Sequence, residues 1–278
     1  MANWDNIEAS GNVEDRRRSN GMMLGGGVGL AGIAVFLALN FLGIQLDPAL
    51  VNTIIGSIES SQSTTPSAEF EGQDSYETFA KQVLGSSNTY WTKAFVDSGR
   101  TYTEPKLVLY RSMTPTACGT GSSQSGPFYC PADQTIYLDE TFFDVIQQLG
   151  GSNGDVAQAY VIAHEAGHHA QNLLGTMDNV MNNPEYRRSG QNSLSVKLEL
   201  QADCYAGLWA NSLKNRDVFG PGEINQAIET AAAVGDDRIQ ASTQGSINPE
   251  TWTHGSSKDR VAAFSRGYDS GQLQTCSL

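Results

Sequence analysis

The chain has 278 residues, with 17 Lys and Arg against 30 Asp and Glu, giving a net charge of −13. That length fits one catalytic-sized domain with appendages, and 39 % hydrophobic residues supply a core, which excludes a wholly disordered chain. Basic residues cluster only in one short N-terminal run, which excludes a nucleic-acid binder.

Residues 22–44 contain no charged side chain, and Asn40 is their one strongly polar residue. At about 1.5 Å per residue such a stretch is long enough to cross a hydrocarbon core of about 30 Å, so it is expected to be a transmembrane helix contacting the lipid bilayer. Arg16, Arg17 and Arg18 precede it and no further Lys or Arg occurs before Lys81. The positive-inside rule then makes residues 1–21 a cytoplasmic tail and places the bulk of the chain outside, in a single-pass arrangement. A cleaved signal peptide would need a shorter apolar region with a small-x-small site after it, whereas this one runs into Asn40, Phe41 and Leu42. A water-soluble core helix would be weakened by its six glycines.

Residues 45–75 are dominated by Ser, Thr, Gln and acidic residues towards their C-terminal end and read as a linker, leaving 76–278 as the folded domain. Tyr76, Phe79, Ala80, Val83 and Leu84 follow helical periodicity, and a further helical turn or two is expected at 90–96. Residues 106–110 and 135–138 are β-branched and aromatic-rich, as strands are, while 142–149, 155–174, 194–213 and 223–234 read as helices. The expected class is therefore α+β, mainly helical with a small sheet. Of the three pairings open to the four cysteines, Cys118 with Cys130 across a turn-rich segment is favoured, leaving Cys204 for Cys276. The other reading is four reduced thiols.

The chemistry concentrates in VIAHEAGHHAQNLLG, where His164, Glu165 and His168 form H-E-x-x-H. On a helix the i, i+4 spacing puts both imidazoles on one side, where they can bind one metal ion, with Glu165 beside its open position. A carboxylate there can take the proton of an attacking water. His169 lies about 100° round the helix from His168 and is left out of the ligand set.

A third protein ligand is needed. The longer H-E-x-x-H-x-x-G-x-x-H form is excluded, because Gln171 and Leu174 stand where it needs Gly and His. KLELQADCYAGLWA instead offers Glu199 and Asp203 on one helix face, with Ala202, Ala206 and Gly207 keeping that helix slim enough to pack against the first. Glu199 is assigned as the third ligand, and Asp203 as the acceptor that holds a ligand imidazole, His164, in the right tautomer. The competing reading is an ordinary acidic pair on a solvated face.

VIAHEAGHHAQ, ELQADCYAG, GPFYCPADQTIYLD, GDDRIQ, THGSSKDR and the early NVEDRR together resemble the bacterial neutral zinc metallopeptidase family, over about residues 12–268. The resemblance implies a membrane-anchored, zincin-like domain with His164, His168 and Glu199 as zinc ligands and Glu165 as general base. WTHGSSKDRVAAF is also similar to the T-H-P-x-x-x-x-R segment of prenyl-protein and heat-shock membrane metallopeptidases, with Gly255 in place of Pro. By that analogy His254 is a catalytic residue donating to the oxyanion, and Arg260 braces the loop or a carboxylate. A loop histidine capping a helix from about Lys258 is the other reading, and Asp236 and Asp237 have several candidate partners. Residues 134–139 are either a substrate-pairing edge strand of the zincin type or a core strand.

The expected activity is zinc-dependent hydrolysis of a peptide or protein substrate. Two alternatives share these residues: a non-catalytic envelope scaffold with a retained zinc site, and a zinc hydrolase of a non-peptide amide.

Overall fold

A computed structural model describes residues 2–17 and 74–278. The first element, β1 (Val13–Asp15), precedes the apolar stretch, and the first helix follows it, α1 (Ser75–Asp97). Asp74 opens α1 by accepting from the Glu77 amide, satisfying one of the donors that a helix start leaves unpaired. The two helical segments expected at 76–84 and 90–96 are one continuous helix, which buries Ala80, Val83, Leu84, Trp91 and Phe95.

Five strands follow: β2 (Lys106–Leu109), β3 (Met113–Thr116), β4 (Gly119–Ser122), β5 (Phe128–Cys130) and β6 (Thr135–Leu138). The main sheet has the order β1-β2-β6-β5, with β1, β2 and β6 parallel and β5 antiparallel to β6. Period-2 alternation sends Leu107, Leu109, Ile136 and Leu138 into the main core, while Val108, Tyr110 and Tyr137 form a second apolar cluster with Cys130. β3 and β4 form a separate hairpin, tied to β5 by the Cys118–Cys130 disulfide.

The remaining helices are α2 (Phe142–Gln148), α3 (Asp155–Leu173), α4 (Thr176–Met181), α5 (Leu194–Ser212), α6 (Ile224–Ala233), α7 (Asp236–Gln244) and α8 (Ser257–Ser270). Helix α5 is sandwiched between α3 and α8. A Cβ at Gly207 of α5 would lie 2.1 Å from the Phe264 carbonyl oxygen, and one at Gly267 of α8 would lie 2.0 Å from that of Cys204. The two backbones touch at these glycines. On the opposite face, Gly167 of α3 lies against Ala202. Gly207 therefore serves contact with α8 and not with the helix that carries H-E-x-x-H, as the sequence suggested. The second disulfide, Cys204–Cys276, pins the C-terminal residues to α5, so both expected pairings are formed.

The expectation of a domain preceded by one transmembrane helix is corrected. Among the described residues no helix is long and apolar enough to cross a membrane. The span expected at 22–44 and nearly all of the 45–75 linker lie outside the described residues. Residues 2–17, read as part of a free tail, belong to the folded unit. Trp4 is buried against Phe79, Trp209 and Phe219, the Ser10 amide donates to the Lys81 carbonyl, and β1 pairs with β2. The crossing is close enough that a Cβ at Gly85 would meet the Glu8 carbonyl oxygen at 2.0 Å. Arg17, its side chain 2 % exposed, pairs with Asp15, Asp74 and Glu140. Residues 13–15 are thus joined by strand pairing to 107–109 in one sheet.

Candidate metal centre

Helix α3 presents His164 and His168 one turn apart, with ring centroids 4.8 Å apart, and α5 brings Glu199 against both. One Glu199 oxygen lies 3.3 Å from His164 Nε2 and the other 3.4 Å from His168 Nε2. Ligand atoms from the three residues all fall within 4.8 Å of one another, the only such His/Cys/Asp/Glu group among the described residues. His164, Glu165 and His168 are each less than 10 % exposed.

Both imidazoles are held through Nδ1, which turns Nε2 towards Glu199. His164 Nδ1 donates to Asp203 at 2.8 Å, and His168 Nδ1 donates to the Gln171 side-chain oxygen at 2.8 Å. A nitrogen with its proton committed elsewhere leaves the other nitrogen's lone pair for a metal. Two imidazoles and one carboxylate form a donor set suited to zinc, leaving a fourth position open, as in catalytic sites. The residues present fit the ion.

Asp203, fully buried, is the hub behind this pair. It accepts from Tyr160 at 2.5 Å, from His164, and from Arg260 in a two-pronged contact at 2.8 and 2.9 Å. Arg260 therefore braces a carboxylate, one of the two roles open to it from sequence. Burial works against the Asp203 charge, but Arg260 and His164 outweigh it and lower its pKa.

Burial likewise opposes charge on the ligand residues, and the charges facing one another outweigh it. His164 is pushed up to about 10 by Asp203 and Glu199, and Glu199 is held well below the ordinary carboxylate range by His168 and His164. Glu165 behaves differently. Burial lifts its pKa, and the adjacent imidazoles only partly offset this. A carboxylate raised in this way is a stronger base than a solvated one.

His254 sits in the loop before α8, with its side chain 46 % exposed. Its Nδ1 lies 3.2 Å from Asp236, and the amides of Thr253, His254 and Gly255 all donate to the same buried carboxylate. The cap of α8 is Ser256, which accepts from the Asp259 amide, so His254 does not cap that helix. Partial burial opposes charge on His254, but Asp236 and Glu199 raise its pKa. Asp237 instead binds Ser257.

Three further outcomes differ from or complete the sequence reading. Strand β6 lies between β2 and β5, so the 134–139 segment is a core strand and β5 ends the sheet. His169 is buried away from the ligands. Its Nε2 donates to the Thr103 carbonyl at 2.6 Å, Nδ1 accepts from the Tyr129 hydroxyl, and burial pushes its pKa down to about 4. Gln171 and Tyr160 are supporting residues that the sequence reading did not assign. Gln171 was accessible to it, because i+3 from His168 falls on the same helix face.

This geometry defines a two-histidine, one-carboxylate centre with a buried glutamate beside it, the arrangement of a metal-dependent hydrolase. The chain belongs to the family described as "Putative neutral zinc metallopeptidase", which matches residues 2–278. It is 40 % identical over 283 residues to uncharacterized protein YpfJ of Escherichia coli (strain K12), covering 98 % of this chain and 97 % of that protein. It is 46 % identical over 186 residues to uncharacterized protein Rv2575 of Mycobacterium tuberculosis (strain H37Rv), covering 63 % of this chain and 62 % of the relative. No solved structure matches the chain.

Proposed function

We propose that the protein is a zinc-dependent peptidase in which His164, His168 and Glu199 hold the ion and Glu165 is the general base. The observation that carries this reading is that buried Glu165 interacts electrostatically with all three residues whose ligand atoms converge, since a purely structural zinc site needs no base. Bound zinc supplies Lewis acidity, polarising a carbonyl and acidifying water. Glu165 then takes the proton of the attacking water and delivers it to the leaving amine. His254, its pKa raised by Asp236, donates from Nε2 to the oxygen on which negative charge develops. Strand β5, at the end of the sheet and tied to α3 through the Tyr129–His169 hydrogen bond, offers main-chain groups to an extended peptide.

The two disulfides support an oxidising, extracytoplasmic location for the domain, and the pairing of β1 with β2 supports residues 2–17 lying on the same side.

The test is cleavage of an unbiased peptide library by zinc-loaded full-length protein. Cleavage abolished by chelation and restored by zinc supports a peptidase, whereas a zinc-loaded protein that cleaves no peptide contradicts it. Within that assay, His254→Ala is expected to lower kcat by about 10²–10³-fold, as loss of an oxyanion donor does, with KM and zinc content little changed. Activity within a few-fold of wild type would remove His254 from the mechanism.

A further inference from the structure

His168 is held differently from His164. Its Nδ1 faces a neutral amide, Gln171, and behind that amide a buried relay runs to the end of the chain. Gln171 Nε2 donates to the Leu198 carbonyl at 2.8 Å and to the Gln201 side-chain oxygen at 3.0 Å. Gln201 Nε2 donates in turn to the Cys276 carbonyl at 2.8 Å. Gln171 is fully buried, Gln201 is 7 % exposed, and Cys276 is bonded to Cys204, the residue after Asp203.

The relay has a fixed direction. A backbone carbonyl can only accept, so the Leu198 and Cys276 oxygens require the amide nitrogens of Gln171 and Gln201 to face them. The Gln171 oxygen is then forced towards His168 Nδ1, which must carry the proton. That leaves Nε2 as the metal-facing lone pair. An amide whose oxygen and nitrogen would otherwise be interchangeable is oriented by one carbonyl in direct contact and, through Gln201, by a second.

We propose that Gln171 and Gln201 are positioning residues that carry the polarity of the Leu198 and Cys276 carbonyls to His168, fixing its tautomer and ring orientation for the metal. The C-terminal residues, clamped to α5 by their disulfide, are thus part of the support of the metal centre. This inference rests on His168 being a metal ligand.

The test measures the zinc dissociation constant of the full-length protein by chelator competition, the visible spectrum of its cobalt-substituted form, and the unfolding midpoint of the metal-free form. Gln171→Leu is expected to weaken zinc binding about 10–100-fold and to shift the cobalt bands, as loss of a hydrogen bond to a ligand imidazole does. Gln201→Leu, one link further away, is expected to act in the same direction with smaller size. Gln171→Glu keeps an acceptor facing His168 Nδ1 and is expected to bind zinc more tightly than Gln171→Leu. Wild-type affinity and cobalt spectra in both leucine variants would overturn the proposal, as would a change confined to the metal-free midpoint. Failure of the underlying reading is separable: wild-type protein would bind no zinc, or His168→Ala would bind it as tightly as wild type.

Discussion

Glu165→Gln is expected to retain zinc and fold while losing about 10²–10⁴-fold or more in kcat, the range associated with general acid–base catalysis. The substitution is nearly isosteric, and Glu165 is not among the three converging ligand atoms, so the ion's donor set is untouched. What it removes is a proton acceptor whose pKa burial has lifted. KM should move little, because Glu165 acts on the attacking water and not on substrate binding. Steady-state kinetics beside metal analysis on the same preparation checks this. Hydrolysis within a few-fold of wild type at full zinc occupancy would transfer the base role elsewhere.

Arg260→Leu is expected to lower folding stability of the metal-free protein by about 3–5 kcal/mol, the cost of stranding one member of a buried ion pair. Arg260 is 4 % exposed and holds the fully buried Asp203 with two hydrogen bonds, while also reaching the Val234 carbonyl. Without it, Asp203 keeps only neutral Tyr160 and the His164 imidazole as partners. Denaturant unfolding of wild type, Arg260→Leu, Asp203→Leu and the double variant checks the coupling. The double variant should be less destabilised than the sum of the singles, since it leaves no uncompensated charge. A single-variant loss below about 1 kcal/mol would contradict the role of this pair as the brace behind His164.

The contrast between these two predictions follows what was legible in the sequence. H-E-x-x-H and E-x-x-x-D could be read because a helix converts a spacing of four into a shared face, a local rule that needs no knowledge of the rest of the chain. Asp203 could be paired with His164 for the same reason once the two helices were set side by side. Residues whose role depends on a distant partner were not legible. Gln171 takes its orientation from the Leu198 carbonyl, 27 residues along the chain, and through Gln201 from the Cys276 carbonyl, 75 residues beyond Gln201. Asp236 could not be chosen over Asp237 as the partner of His254, because only the loop between α7 and α8 decides which carboxylate faces it.

The larger correction lies at the N-terminus. Val13–Asp15 is short and two-thirds acidic, with only Val13 typical of a strand, and it sits near a stretch whose hydropathy dominates the reading. Its place in the sheet comes from parallel pairing with a strand about ninety residues later, with Arg17 buried among three carboxylates. Such non-local pairing leaves no periodic trace. Strand β6 was similarly ambiguous, since a continuous apolar TIYL reads equally as edge or centre until its neighbours are known.

The most direct test of the metal centre is zinc content of the purified full-length protein beside its Glu199→Ala variant. The predicted result is one zinc per chain in the wild type and loss of tightly held zinc in the variant, because Glu199 is the α5 residue that reaches Nε2 of both imidazoles of α3. A wild type that binds no zinc, or a Glu199→Ala protein that holds it as tightly as wild type, would contradict the centre described.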